Sequence, residues 1–349
     1  MHPISQWRRR QTMSRQQYAF KRKPLAVMLA PLVAIAAALA TAISAATDAG
    51  AYPGKPINLI VAYAAGGGSD MVVRLLTPFI EKELGNNARI VVSNKPGAGG
   101  AIGFSELARS APDGYTIGLI NTPNVLTIPI ERKSTFTWRS FDLLGNIVDD
   151  PGNFSVHTDS PIKSLQELAK QAKATPGKIS VGTTGTGSDD HLAMLLFQKI
   201  ANVQMIHVPY KGASEVRTAA QGQQIDVAAI NIGEAQQFAK AGTPLRHLGV
   251  MSAARNPLAP DVPTFKEQGY DINLVSLRGL AAPKGLPPEI RSRLVAATEK
   301  AIANPEFQKK AMQAYAPVRY LPPDRYEAEL KESDEQFQKL WKEMPWGDK

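Results

Sequence analysis

Two short loops carry the residues best suited to chemistry. The first, Ala64-Ala65-Gly66-Gly67-Gly68-Ser69-Asp70, follows the apolar run Ile57–Tyr63 and precedes a stretch of helical periodicity through Leu84. The second, Thr183-Thr184-Gly185-Thr186-Gly187-Ser188-Asp189, lies between a short run at Ile179–Gly182 and a helical stretch ending at Ile200. Glycine lets a backbone turn sharply and approach a ligand closely. A helix N-terminus offers unpaired N–H groups and a partial positive charge. The combination suits a carboxylate or a phosphate, and two such loops facing each other would grip an anion from both sides. Either loop alone reads better as a turn with an N-cap; their recurrence at the same place in two halves favours the ligand reading. Candidate contacts are Ala65, Gly66, Gly67, Gly68, Ser69 and Asp70 in the first loop. In the second they are Thr184, Gly185, Thr186, Gly187, Ser188 and Asp189. The carboxyls of Asp70 and Asp189 read as helix N-caps. One that faced a cleft would bind an ammonium group or repel an extra carboxylate.

Other chemistries lack their residues. No G-x-x-x-x-G-K-[ST] occurs, and Gly97-Ala98-Gly99-Gly100-Ala101-Ile102-Gly103 places Ile102 where a dinucleotide fingerprint needs glycine. There is no G-x-S-x-G elbow. His157, His191, His207 and His247 are scattered, and Asp189-Asp190-His191 has no partner cluster for a metal. His191 reads as lining or ordering the second loop. The chain has no cysteine, which excludes disulfides, zinc-thiolate sites and a thiol nucleophile. Neither a catalytic residue, a metal nor a cofactor is expected.

The elements that position the loops alternate strand and helix, predicting an α/β protein with parallel sheets covered by helices. Strands are expected at 57–63, 90–93, 116–120, 143–148, 154–157, 179–182, 205–208, 227–230 and 248–251. Helices are expected at 70–84 with a kink at Pro78, and at 102–110, 164–174, 189–200, 213–221 and 233–241. Two more are expected in the tail, at 287–304 and 322–341. Ser164 with Glu167 forms a capping box. The pattern restarts at Asp149-Asp150-Pro151-Gly152 and returns near 273–276. This predicts a discontinuous first lobe of residues 52–150 and 276–349 and a second lobe of 151–275.

Residues 1–51 read as a secretory signal peptide. Basic residues from Arg8 to Lys23 precede an uncharged run from Leu25 to Ile43, and Ser44-Ala45-Ala46 and Ala49-Gly50-Ala51 are cleavable small-residue sites. The run is nearly long enough for a retained anchor, but its alanine content and small-residue end favour cleavage. The leader holds seven of the 40 Lys and Arg and one of the 31 Asp and Glu, leaving 33 basic and 30 acidic residues. The basic pI therefore belongs largely to the leader and argues for no nucleic-acid partner. With no lipobox cysteine, a free periplasmic protein of a Gram-negative cell is expected.

Ordered motifs through the mature chain resemble the Bug-type substrate-binding proteins of tripartite tricarboxylate transporters. They begin with Tyr52-Pro53-Gly54-Lys55-Pro56-Ile57, the first loop and Arg74. Asn94 through Gly100 and Pro112-Asp113-Gly114-Tyr115-Thr116 follow. Next come Thr184–Ser188 with His191, then His207-Val208-Pro209-Tyr210-Lys211-Gly212. Arg255, Pro260 through Thr264, Glu267 and Gly269 follow, and Arg278 through Gly285 end the series. The resemblance implies a type II periplasmic-binding-protein fold with a ligand cleft between two lobes, closing like a flytrap. It implies that loops 64–70 and 184–189 pinch one ligand carboxylate, partly through ordered waters. It also implies delivery to a large and a small membrane subunit. Substrates in such a family include di- and tricarboxylates, acidic amino acids and aromatic acids. This sequence departs from the family at Ala62, Tyr63, Leu277 and the Asp189-Asp190 pair, which leaves the distal pocket open. Asn121, Tyr210 and Asn231 are candidates for distal polar contacts, each also readable as a local structural residue. The expected protein is a monomer that binds without turnover. A receptor for a membrane sensor or an exported enzyme acting on a carboxylate is the alternative.

Overall fold

One strand belongs to two sheets and ties the chain together. The structure, a computed structural model, describes residues 52–347; the leader reading falls outside the described residues. The strands are β1 (Ile57–Val61), β2 (Ile90–Asn94), β3 (Thr116–Asn121), β4 (Phe141–His157), β5 (Ser180–Thr183), β6 (Ile206–Pro209), β7 (Val227–Asn231), β8 (Leu245–Val250), β9 (Val275–Pro283) and β10 (Val318–Leu321). In the first sheet β1 runs parallel to β2 and β3, and β9 runs antiparallel to both β3 and β4. In the second, β5 is parallel to β6 and β7, while β7 and β8 pair antiparallel with the far end of β4.

The sheets are therefore mixed, where repeated strand–helix units predicted parallel ones. The antiparallel members are the returns β9, β8 and β10 and the long β4. Their pairing partners are distant in sequence, so no local period signals them. The two strands expected at 143–148 and 154–157 are one 17-residue strand. Asp149-Asp150-Pro151-Gly152 resembles a turn but passes between the sheets. Pro151 is opposite Val275 at the last β9 rung, and Gly152 opens the pairing with β7 at Asn231. A residue without an N–H is tolerated where the ladder changes partner.

Helix α1 (Gly68–Leu84) follows β1 and continues through Pro78 as a single element. Pro78 is exposed, so the carbonyl it leaves unpaired can meet water. Val72, Val73, Leu76, Phe79 and Ile80 of α1 share a core with Leu294, Ala297 and Ala301 of the helix Pro288–Ala303. The second sheet packs Phe154, Phe197 and Phe265 into an edge-to-face cluster with centroids 5.1 to 6.4 Å apart. Ser164 caps the helix Leu165–Ala174 by accepting from the Glu167 N–H, and the Glu167 carboxylate accepts from the Lys163 N–H. The helix Asn124–Glu131 was not expected, because Pro123 and Pro129 mask it. Both glycine loops sit at the carboxyl ends of parallel strands β1 and β5, where open α/β sheets place ligands.

Gly279, in the middle of β9 between Ile120 and Asn146, is covered by the buried ring of Tyr326. A methyl there would collide with that ring. Gly279→Ala should lower stability by about 1–3 kcal/mol in denaturant unfolding; an unchanged midpoint would contradict this packing.

Candidate functional site

The first helix start is held by a residue from the far half of the chain. Gly67 is the N-cap of α1, in extended conformation and without a side-chain cap. The Gly68 N–H donates to Glu234 Oε1 at 2.7 Å, from α7 (Ile232–Lys240), the helix after β7. A Cβ on residue 68 would run into Arg278 Nη1 and Glu234 Oε1, so only glycine allows this approach. Asp70 is engaged within its own loop and α1. Its carboxylate accepts from the Gly66 N–H, Arg74 Nε and Asn94 Nδ2. Burial alone would raise the Asp70 carboxyl, but those hydrogen bonds hold it below the usual carboxylate range.

The second helix start, of α5 (Asp189–Ala201), is capped by Ser188, whose Oγ accepts from the His191 N–H. His191 Nδ1 in turn accepts from the Gly187 N–H, and its ring stacks on His207 at 3.8 Å. Burial, with His207 alongside, pushes His191 down to about 3, so it orders the loop as a neutral imidazole. Thr184 Oγ1 donates to Asp190 Oδ2 at 2.7 Å. The N-cap reading fails for Asp189. As the first helical residue it has Ser188 as its cap, and its Oδ2 accepts from Asn231 Nδ2 at 2.6 Å.

The two starts open on one polar cavity of about 20 Å³, room for a water or two. Of the candidates, Gly67, Gly68, Ser69, Asn121, Thr184, Asp189 and Asn231 line it. Ala65 and Gly66 are exposed on the far side of their turn. Gly185, Thr186 and Gly187 support the cavity from behind. Thr186 and Gly187 carbonyls accept from Asn124 Nδ2 and Thr127 Oγ1, and Gly185 packs against Gly99. Tyr210 does not line the cavity; its ring packs beside Gly182.

Sequence reasoning missed the charged centre. Arg278 of β9 is 3% exposed and lies between Asp150 at 3.2 Å and Glu234 at 3.3 Å, with its Nη2 also donating to Asn231 Oδ1 at 2.9 Å. Asp150 Oδ1 accepts from the Gly233 N–H. The available signal was a lone arginine in the otherwise apolar run 275–283; Asp150 was hidden in an apparent turn. Tyr63, Asn124, Ala213 and Ser276 complete the lining. Burial pushes Asp150 up to about 7 against the pull of Arg278, and pushes Asp189 up to about 6 against Asn231 and Arg278. Asp190 is raised well above the usual range by burial and by Asp189. Behind the Glu234–Arg278 pair lies a second cavity of about 350 Å³, lined by Met71, Val72, Leu75 and Tyr315 among others. No helix among the described residues is long and apolar enough to cross a membrane.

Residues 72–322 match the model of the tripartite tricarboxylate transporter family receptor. The chain belongs to this receptor family. The receptor is 36% identical over 284 residues to the UPF0065 protein in the gbd 5′ region of Cupriavidus necator, spanning 80% of this chain and 85% of that one. It is similar in structure to the periplasmic binding protein BugD, with a TM-score of 0.79 and 31% identity over 85% of this chain and all of the other. MatC of Rhodopseudomonas palustris, solved with bound malate, shares the fold at 24% identity and a TM-score of 0.77, covering 83% of this receptor and 99% of MatC. The fold is the periplasmic-binding-protein fold, as the ordered motifs implied.

The raised carboxyls make a signed prediction. Unfolded, Asp189 ionises near its ordinary value of 3.8; folded, it holds its proton to about 6. The receptor's stability from this group therefore falls as pH rises through that window and stays low above it. Asp189→Asn should match the native chain near about pH 4 and exceed it at about pH 8 by on the order of 1–3 kcal/mol. Thermal unfolding across pH checks this, and a difference independent of pH would refute the buried-charge account.

Proposed function

We propose that this chain is an exported solute-binding receptor, not an enzyme. It captures a small organic carboxylate in the cleft and delivers it to the large and small membrane subunits of a tripartite transporter. The observation that carries the reading is the meeting of two glycine loops, each opening a helix, around one buried polar cavity. Helix starts of this kind favour an anion through their unpaired N–H groups and partial positive charge. Gly67, Gly68 and Ser69 of the first loop and Thr184 and Asp189 of the second line that cavity together.

In this reading residues 52–150 and 276–349 form one lobe and 151–275 the other, with β4 and the start of β9 as the crossings. The contacts between loop regions, such as Ala64 N–H to the Lys211 carbonyl at 3.1 Å and Thr127 Oγ1 to the Gly187 carbonyl at 2.7 Å, suit a closed form. A ligand larger than water enters only if they part, and binding then shifts the population back to closed. MatC with malate and a second R. palustris protein with adipate make small dicarboxylates the first probes.

Gly68→Asp should weaken binding of whichever carboxylate a thermal-shift panel identifies by about 100-fold or more, because it fills the helix start with a like charge. Calorimetry showing equal affinity in that variant would refute the reading. Cells expressing the full chain should release it with the periplasmic fraction as a monomer that begins after Ala46 or Ala51 by mass spectrometry. Retention of the intact leader in the membrane fraction would contradict export with cleavage.

A further inference from the structure

The cavity between the two helix starts is richer in acceptors than a site for a bare carboxylate needs. Glu234 and Asp189 line it beside a single cation, Arg278. That cation is already engaged, with Asp150 at 3.2 Å and Glu234 at 3.3 Å. A second carboxylate of a ligand would meet two acids there and share an arginine that both Asp150 and Glu234 already hold. Arg74, the cation at the other side of the first loop, is committed to Asp70.

An independent observation points to the kind of group that fits. Two buried acceptor atoms of residues that line the cavity have no hydrogen-bond partner within the protein: Glu234 Oε2, on a residue 6% exposed, and Asn121 Oδ1, on a residue 4% exposed. The other halves of the same side chains are fixed. Glu234 Oε1 accepts from Gly68 N–H, and Asn121 Nδ2 donates to Ser69 Oγ at 2.8 Å. A buried acceptor without a donor is costly, more so when it is charged. A donor in the cavity would satisfy both, and beside a carboxylate a charged N–H does so more strongly than a neutral group or a water.

We propose that the cleft carries an ammonium subsite, in which Glu234 Oε2, Asn121 Oδ1 and the Asp189 carboxylate receive a protonated primary or secondary amine of the ligand. The inference rests on the receptor reading above and narrows it: the ligand is a small amino-carboxylate, its carboxylate at the helix starts and its ammonium against Glu234. The ammonium then offsets part of the negative charge of Glu234 and Asp189, to which a dianion would only add. A quaternary ammonium has no N–H and leaves both acceptors unsatisfied, so it is disfavoured.

The titratable and charged groups that face one another here come from five elements. They are Glu234 of α7, Asp150 of β4, Asp189 and Asp190 of α5, Arg278 of β9, and Tyr63 from the loop after β1. Asp189 and Asp150, raised by burial to about 6 and about 7, ionise as pH rises toward neutrality. Preference for the amine should therefore grow between about pH 5 and pH 8.

The test is calorimetry on the full mature receptor with matched probes: β-alanine against propionate, L-glutamate against glutarate, glycine betaine, and propylamine as the amine without a carboxylate. Each amino acid should bind about tenfold or more tightly than its deamino partner at about pH 8, with betaine weaker than the N–H amines. The ratio should shrink at about pH 5 and fall towards one in Glu234→Gln. The pH arm reads the native protein, so the inference stays testable if that variant folds poorly. Succinct outcomes separate the two claims. Glutarate and propionate binding as tightly as their amino partners overturns the subsite and leaves the carboxylate receptor standing. Propylamine binding as tightly as β-alanine supports the subsite and overturns the carboxylate clasp. No binding by any probe overturns the inference.

Discussion

The hydrogen bond from the Gly68 N–H to Glu234, braced by Arg278, is the constraint on which the centre of the molecule depends. It joins the start of α1 to α7, across a separation of 166 residues. Arg278 adds β9 and, through Asp150, the long strand β4. One buried cation thus ties together elements from both sheets. Removing any one partner would leave a charge without compensation in a dry interior, which is far more damaging than replacing the whole set. The cluster also dictates residue types nearby. Position 68 excludes a side chain, and Asn231 must bridge, because its amide donates to Asp189 and to the Asp150 carbonyl while its oxygen accepts from Arg278.

The same bond occupies one of the amides at the start of α1. A helix start attracts a carboxylate, and in this structure Glu234 supplies one. In the proposed site a ligand carboxylate is left the remaining amides of the first loop, and the second loop, 183–189, forms the other wall. Much of that loop's hydrogen bonding is internal: Asp190 holds Thr184, His191 holds Gly187 and Ser188 caps the helix. This leaves the loop rigid in shape, as a preorganised wall for a ligand should be.

The glycine loops, their flanking strands and the helices behind them were legible because each rests on a local signal: glycine spacing, an apolar run and a helical period. The capping of α5 by a residue of the second loop was legible in kind, though Ser188 takes the role that Asp189 was expected to take. What was not legible depends on partners far away in the chain. Asp150 and Pro151 look like a turn until β9 and β7 pair with the same strand on either side of them. Glu234 looks like a first-turn acid on an amphipathic helix, since nothing near it in sequence reveals the amide it accepts from. Arg278 had the clearest trace, a charge inside a strand otherwise fit for burial, and its meaning appears only when Asp150 and Glu234 converge on it. The mixed character of the sheets was hidden for the same reason.

The most direct measurement is a crystal structure of the receptor grown with a carboxylate that it binds. The account predicts the ligand carboxylate between the starts of α1 and α5, within hydrogen-bond distance of backbone N–H groups from both loops, with the Glu234–Gly68 bond kept. A ligand lodged instead in the larger cavity beside Met71 and Tyr315, touching neither loop, would contradict it.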